Sequence, residues 1–356
     1  MQGRNLVLSA MRHQAIDRTP VFEYVLLSPN ADRALGRTMN GYDENPDEWL
    51  RHAREIGYDR ALRQYARDRV ELSLRLHHDM LYVCPAPVEF VPSSTIPGEE
   101  PEERLAKRNE LAAKSIAQPL PDAGYQVYGF IREAMREKGA DLALFAPAYT
   151  LGIWSDVDLM MTMLIDPDIA REHFRLAADV AIRQVARYAR DGVELIGVGG
   201  DFAGNRLLIS PEAYREFVVP EVRRVADKVH DSGVYAVTAS DGDLRSVLDD
   251  FLIGSGADAY MEIDSRAGMD MKMLKDRYGD RICLMGNIDC GELLSYGSPE
   301  AIREATQKCL KDGWGMGGHI FTASNAIAAS VPFENYRAMS DAYHDFFGLK
   351  RVEWVE

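Results

Sequence analysis

Acidic side chains follow several buried, β-branched segments of this sequence, at the points where those segments end. Asp201 follows ELIGVGG, Asp241 follows VYAVTAS, and Glu262 lies within AYMEID. Carboxylates that share one edge repel each other, so the pKa of at least one should rise unless a cation enters. We therefore predict that these three residues are catalytic, with one holding a proton for general acid catalysis. Binding of a metal or a cationic ligand stays open, and we expect no dedicated metal site.

Other polar side chains near predicted strand ends are candidates for substrate contact. These predicted substrate-binding residues are Glu23, Tyr24, Asp79, Tyr149, Ser240, Asn287 and Asn325. Asp264 and Asp289 also follow strands, and a helix-capping role is equally compatible with their position. His319 begins a strand rather than ending one, so we expect a hydrogen-bonded core residue there. Of the run His77, His78 and Asp79, the aspartate is the best candidate for function.

Short apolar segments alternate with longer helical patterns along the chain, which is typical of a parallel sheet. The predicted strands are Pro20–Val25, Met80–Val83, Asp141–Ala146, Val193–Val198, Val234–Ser240, Ala257–Ile263, Ile282–Asn287 and His319–Asn325. Eight such strands predict an α/β fold, a (β/α)8 TIM barrel with an N-terminal helical and loop elaboration. We expect one domain over residues 1–356, and a doubly wound open sheet is the alternative. The carboxyl ends of barrel strands meet at one mouth, which would gather the candidate residues.

Helices are predicted near 45–65, 122–138, 166–191, 211–230, 243–254, 270–279, 299–312 and 332–347. Ser210, Ser298 and Asp166 each precede a proline and an acid, the pattern of an N-cap followed by a first helical turn. Residues 26–45 and 84–103 are predicted loops that rim the mouth.

The net charge of -15 excludes nucleic acid and anionic membranes as favoured partners. The four cysteines are far apart, without the CxxC spacing of a zinc site, and indicate reduced thiols. No leader-like or membrane-spanning apolar run is present, so we expect a cytoplasmic protein.

The C-terminal half carries a family resemblance. Several of its segments, and one N-terminal segment, resemble the uroporphyrinogen decarboxylase superfamily. They are SPEAYREFVVPEV, ASDGDL, AGMDMKMLKDRYGDRICLMGNID, GSPEAIREATQKCL and IFTASNAIAASVPFENYRAM, together with the N-terminal DRTPVFEY. That resemblance implies the (β/α)8 barrel. It also implies one of two activities, since the superfamily includes the haem-pathway decarboxylase and zinc-dependent methyltransferases that serve corrinoid proteins.

Departures from the family pattern bear on activity. In the decarboxylase an arginine-rich loop follows the first strand, whereas here Phe22 is followed by EYVLLSP. The decarboxylase histidine that ends strand eight corresponds to Asn325. The zinc-binding His-x-Cys pair and cysteine of the methyltransferases correspond to Ala239, Asp241 and Asn325, which excludes thiolate ligation of zinc at these positions.

Two functions follow from these departures. The first is the methyltransferase component of a corrinoid-dependent demethylation system, which moves a methyl group from a small O- or N-methyl donor to a corrinoid protein. No cofactor is then bound tightly, because the partner protein supplies the corrinoid. The alternative is a lyase that decarboxylates a small acid, with Asp79 or Asp201 stabilising the intermediate; uroporphyrinogen itself is disfavoured. A barrel without catalysis ranks last, and the resemblance is compatible with a homodimer.

Overall fold

Strands followed by helices recur along the computed structural model of the chain, which describes residues 3–89, 98–149, 152–315 and 317–354. The strands in these ranges are β1 (Met80–Tyr82), β2 (Ala143–Pro147), β3 (Leu195–Gly197), β4 (Tyr235–Ala239), β5 (Ala259–Met261), β6 (Cys283–Met285) and β7 (His319–Ile320). Each lies within a predicted strand or differs from it by one residue.

The helices alternate with these strands. In the described ranges they are α1 (Arg4–Met11), α2 (Asn30–Leu35), α3 (Pro46–Ile56), α4 (Tyr58–Arg75), α5 (Pro101–Ile116), α6 (Asp122–Lys138), α7 (Val157–Ile165), α8 (Pro167–Arg190), α9 (Pro211–Ala213), α10 (Val219–Asp231), α11 (Met271–Tyr278), α12 (Leu293–Tyr296), α13 (Pro299–Gly313) and α14 (Phe333–Phe346). Short 3-10 turns lie at Ile153–Ser155 and Ser265–Ala267, and π-helical turns at Tyr214–Val218 and Asp250–Gly254.

The predicted helix starts are confirmed. The Ser210 hydroxyl accepts from the amide of Ala213 at 3.1 Å, and Ser298 and Asp166 cap α13 and α8 in the same way. In each case a side-chain oxygen satisfies an amide of the first turn that has no partner within its helix.

The chain divides into two compact units. Unit 1 comprises Met1–Phe90, Asp122–Phe145 and Asp270–Glu356. Unit 2 comprises Val91–Pro121 and Ala146–Met269.

In unit 1, β1 pairs with β2 and β6 pairs with β7, both in parallel. The predicted first strand, 20–25, is wrong as a continuous strand: only Val21 and Leu26 form parallel bridges, to Phe321 and Ile327. Pro20 has no amide to donate, and the backbone bends at Tyr24, which limits the ladder to these two points. The helix pairs α4–α6 and α13–α14 pack within this unit.

In unit 2, β3, β4 and β5 form a parallel ladder in which Gly197 pairs with Val237 and Ala239 with Met261. The amides of Ala148 and Tyr149, just beyond β2, both donate to the carbonyl of Gly197. Helix α8 packs against α5, α7 and α10.

Two predicted loops and one helix need correction. The loop 84–103 ends early because α5 begins at Pro101, with proline in its first turn and Glu102 and Glu103 favouring the helix N-terminus; residues 90–97 lie outside the described residues. The loop 26–45 contains α2. The predicted helix 243–254 is reduced mainly to the π-helical turn Asp250–Gly254. No described helix has the length and apolar character needed to cross a membrane.

Candidate active site

The three predicted catalytic acids all belong to unit 2, where they follow consecutive parallel strands. Asp201 lies four residues after β3, Asp241 two residues after β4, and Glu262 directly after β5. Because these strands are parallel and in register, their carboxyl ends lie at the same edge of the ladder. The amide of Asp241 donates to the Asp201 carboxylate at 2.9 Å, which joins the two loops. The structure therefore brings these acids together, and their catalytic role stays a prediction.

Glu262 is the acid with the most perturbed environment. Only 8% of the residue is exposed. Burial raises the pKa of its carboxyl well above the ordinary value, and the charges of Asp201 and Asp241 raise it further. Its backbone has φ of 66°, a left-handed conformation that a residue with a Cβ adopts at a cost of about 1–3 kcal/mol. Burial and the neighbouring charges of Asp201 and Asp241 thus favour the protonated form of Glu262, whose backbone is strained.

Glycines allow the loops after β3 and β4 to approach each other. A Cβ on Gly199 would lie 2.7 Å from the Ala239 nitrogen, and a Cβ on Gly242 would lie 2.5 Å from the carbonyl oxygen of Gly204. Gly242 also has φ of 90°, which glycine adopts without steric cost. The main chain after Asp241 can therefore take its path because Gly242 lacks a side chain.

Ser240 holds the loop after β4 in place through hydrogen bonds. Its hydroxyl donates to the carbonyl of Asp241 at 3.0 Å and accepts from the amide of Phe202 at 3.4 Å. The hydroxyl of Tyr260 donates to the carbonyl of Ser240 at 3.3 Å. Ser240 is fully buried, so these contacts favour positioning of the loop over the predicted contact with substrate.

Tyr260 is a residue that the sequence analysis missed. Burial and the surrounding charges of Asp241 and Glu262, among others, raise the pKa of its hydroxyl well above the ordinary value. The signal that could have found it is its place in the predicted strand Ala257–Ile263, two residues before Glu262.

Tyr149 is also buried in unit 2, but its surroundings differ from those of the acids. Burial and the negative charge of Glu221 on α10 raise the pKa of its hydroxyl. This oxygen has no hydrogen-bond partner among the described residues. Its nearest electrostatic influences, Glu221 and Arg224, lie on a helix rather than at a strand end.

Glu23, in unit 1, is also a buried acid. Its Oε2 accepts from the amide of Ala323 and the hydroxyl of Thr322, both at 3.3 Å. Burial raises the pKa of the Glu23 carboxyl to about 8, despite these two hydrogen bonds, which lower it. Glu23 therefore also carries a proton at neutral pH.

The other predicted substrate-binding residues of unit 1 lie near strand ends. The ring of Tyr24 meets that of Tyr82 edge-on, with centroids 4.5 Å apart. The backbone amide of Asn287 donates to Sγ of Cys309 at 3.3 Å. The Asn325 side-chain oxygen accepts from the amide of Ala326 at 2.6 Å. These contacts fix the local backbone, and substrate contact remains a prediction for all three residues.

Asp79 lies elsewhere. It precedes β1, at the amino end of the strand, and is 2% exposed. Arg18 donates to both of its carboxylate oxygens, at 2.6 and 2.7 Å, and the amides of Gly3 and Val21 donate to them as well. Because both of its oxygens accept hydrogen bonds from these groups, the carboxylate joins the N-terminal segment to β1. Asp79 thus lies at the amino end of β1, away from the carboxyl-end residues, and its role in substrate binding remains a prediction.

The histidines near strand starts also have structural contacts. His319 is buried, and its Nε2 lies 3.0 Å from the carbonyl oxygen of Gly286, which confirms the prediction of a hydrogen-bonded core residue. His77 Nδ1 lies 2.9 Å from His344 Nε2. Within the described ranges, no group of three His, Cys, Asp or Glu side chains has the arrangement of a metal site.

Comparisons with known proteins agree with this architecture. A family model described as uroporphyrinogen decarboxylase (URO-D) matches residues 148–346. The uroporphyrinogen decarboxylase of Xanthomonas axonopodis pv. citri is 24% identical, covering 96% of this chain and 98% of the relative. That of Alkalilimnicola ehrlichii is 25% identical, covering 95% and 93%.

Among solved structures, a methyltransferase from Methanosarcina mazei superposes with a TM-score of 0.69 and 17% identity, covering 97% of this chain and 98% of that chain. At this identity the likeness shows the fold, and it confirms the predicted α/β barrel class.

Proposed function

The chain belongs to the uroporphyrinogen decarboxylase family. Because the wider superfamily includes both decarboxylases and methyltransferases, we propose from this premise that the chain is a methyltransferase. The substrate we propose is a small O- or N-methyl compound, and the methyl acceptor is a corrinoid carried by a partner protein. The observation that carries the proposal is the burial of Glu262 at the strand ends that also carry Asp201 and Asp241, where burial and the two charges raise the pKa of its carboxyl.

A neutral carboxylic acid supplies what demethylation of an ether requires. As the carbon–oxygen bond breaks, its electron pair goes to the oxygen, and the methyl carbon forms a new bond with the nucleophile that the acceptor supplies. The departing alkoxide or phenoxide is a poor leaving group unless it is protonated. Glu262 donates that proton, and it regains one from solvent because its carboxylate is unfavourable beside Asp201 and Asp241.

The same acids argue against uroporphyrinogen as substrate. An octa-anionic porphyrinogen requires guanidinium groups that bind its carboxylates in pairs. Here the segment EYVLLSP directly after Phe22 contains no arginine, and Asn325 stands where the decarboxylases have a histidine. A cluster containing Asp201 and Asp241 repels such a polyanion, whereas it is compatible with a neutral or cationic methyl donor.

Decarboxylation of a smaller acid is the second candidate. The observation that favours it is the similarity, along nearly the whole chain, to proteins named uroporphyrinogen decarboxylase. A protonated Glu262 could deliver a proton to the carbon from which carbon dioxide departs. Of the two residues predicted to stabilise the intermediate, Asp201 is better placed than Asp79, because Arg18 donates to both carboxylate oxygens of Asp79.

The test combines purified enzyme, free cob(I)alamin and a panel of methyl ethers, methylated phenols and methylated amines. We expect at least one donor to methylate cob(I)alamin, and the reaction is followed by the change in cobalamin absorbance. The Glu262→Gln variant should lose most of the rate of this methylation. Uroporphyrinogen III is supplied in parallel, and we expect no appreciable coproporphyrinogen. Carbon dioxide release from a small acid, with no methyl transfer from any donor, would favour the lyase instead.

A further inference from the structure

Helix α7 is apolar on nearly every side. Its sequence, VDLMMTMLI, contains two polar residues, Asp158 and Thr162. Leu159, Thr162 and Met163 face the interior. A helix that is hydrophobic all round normally has partners on both faces.

The outer face of α7 has no partner among the described residues. Trp154, in the preceding turn, is 63% exposed, and Leu164 is 86% exposed. Val157, Met161 and Ile165 are exposed as well. In chain order, these five exposed residues follow one another at intervals of three, four, three and one residues. At 100° per residue the four exposed side chains of the helix itself span about 100° of its surface, and Trp154 lies in the 3-10 turn just before them. These five residues are called the α7 face below.

Nearby charges do not interrupt the α7 face, because they are paired. The Asp158 carboxylate receives two hydrogen bonds from Arg104, at 2.6 and 2.9 Å. Asp156 is paired with Arg108 and also caps α7 through the amide of Leu159. An exposed apolar stripe whose neighbouring charges are neutralised is typical of a protein-binding surface.

The α7 face begins at the candidate site. The backbone amide of Trp154 donates to the carbonyl oxygen of Asp201 at 3.2 Å. Both residues belong to unit 2. A protein bound to this stripe would therefore lie next to the loop that carries one of the three acids.

The size and charge of the stripe favour a transient partner over a second copy of this chain. At roughly 100 Å² per exposed side chain, the α7 face offers on the order of 500 Å², whereas a stable interface buries about 800 Å² on each partner. Two copies that each carry a net charge of -15 repel each other. A partner with an apolar centre and a basic rim fits both properties.

We infer that the α7 face docks the protein that carries the methyl acceptor, an inference that rests on the proposed function. The partner's apolar surface covers Trp154, Met161 and Leu164, and its basic rim meets the acidic enzyme. Docking there brings the acceptor to the edge of the ladder where Asp201 lies.

The test measures methyl transfer from one active donor to two acceptors: free cob(I)alamin, and the small corrinoid-binding protein of the same organism loaded with cob(I)alamin. The variants are Leu164→Glu and Met161→Glu. The matched control is Leu111→Glu, since Leu111 is 56% exposed on the neighbouring helix α5. We expect KM for the corrinoid protein to rise at least about tenfold in both variants, a loss of about 1.4 kcal/mol of binding. The control should match wild type, and rates with free cob(I)alamin should stay within about twofold of it in every variant.

Other outcomes overturn the inference in distinguishable ways. An unchanged KM for the corrinoid protein in Leu164→Glu, with normal transfer to free cob(I)alamin, would refute docking on the α7 face. It would not refute the proposed function. A wild-type dimer in sedimentation velocity that dissociates in Leu164→Glu would show that a second copy covers the stripe. Absence of transfer from every donor to free cob(I)alamin would refute the proposed function, and this partner with it.

Discussion

Replacing Glu23 with glutamine should make the protein's stability less dependent on pH. The Glu23 carboxyl has a pKa of about 8 in the folded protein, against an ordinary value of 4.5. Below about pH 4.5 the group is neutral in both the folded and unfolded states. Above it, the unfolded chain loses the proton while the folded protein keeps it, so the free energy of unfolding falls by about 1.4 kcal/mol per pH unit until the folded pKa is reached.

The size of the effect follows from these two pKa values. At pH 7 burial of Glu23 costs about 3 kcal/mol relative to pH 4. Glutamine has the same shape, and its amide oxygen can accept from the Ala323 amide and the Thr322 hydroxyl as Glu23 does. The stability of Glu23→Gln relative to wild type should therefore increase by roughly 2–3 kcal/mol between pH 5 and pH 7.

Urea denaturation, followed by tryptophan fluorescence at pH 5, 6 and 7, measures this difference directly. Glu55→Gln on α3 is the control, since Glu55 is exposed, and its difference from wild type should stay flat. A difference for Glu23→Gln that does not change with pH would refute the reasoning. A variant that is much less stable at every pH would show that the carboxyl group is needed for packing.

Three further predictions concern the acids and the glycine that positions one of them. Glu262→Gln should lower methyl transfer by about 10²–10⁴-fold, the usual contribution of a general acid, and an unaffected rate in the cob(I)alamin assay would exclude that role. Asp79→Asn should destabilise the fold by about 3 kcal/mol by breaking the buried pair with Arg18; activity per folded molecule should persist, and an inactive but stable variant would return Asp79 to the substrate site. Gly242→Ala should lower both the melting temperature and activity, because the new Cβ meets the Gly204 carbonyl. Gly129→Ala, which has open space, should do neither, and equal effects of the two substitutions would contradict the close-approach argument.

Periodicity predicted much of the fold. The helices with a serine or aspartate cap before a proline began at the predicted residues, since the cap and the restricted φ of proline act locally. The strands β1 to β7 were predicted because their central residues are buried and apolar. The segment 20–25 failed as a continuous strand because Pro20 has no amide to donate and the backbone bends at Tyr24.

The candidate site was predictable in part. Asp201, Asp241 and Glu262 could be grouped because residues that follow parallel strands meet at one edge. The burial of Glu262 and its φ of 66° could not be predicted, since both depend on how the loops after β3 and β4 close around it. The ion pair of Asp79 could not be predicted, because its partner, Arg18, is distant in the sequence. The α7 face was missed because no helix was predicted over residues 157–165.

The central claim is that Glu262 holds a proton at neutral pH beside two carboxylates. Infrared difference spectroscopy at pH 7 between wild type and Glu262→Gln measures this directly, because a protonated carboxyl and a carboxylate absorb in separate regions. The account predicts a carboxylic acid carbonyl band in wild type that shifts in heavy water and is missing from the variant. A carboxylate band in its place, present at pH 7 and unchanged at higher pH, would contradict the claim.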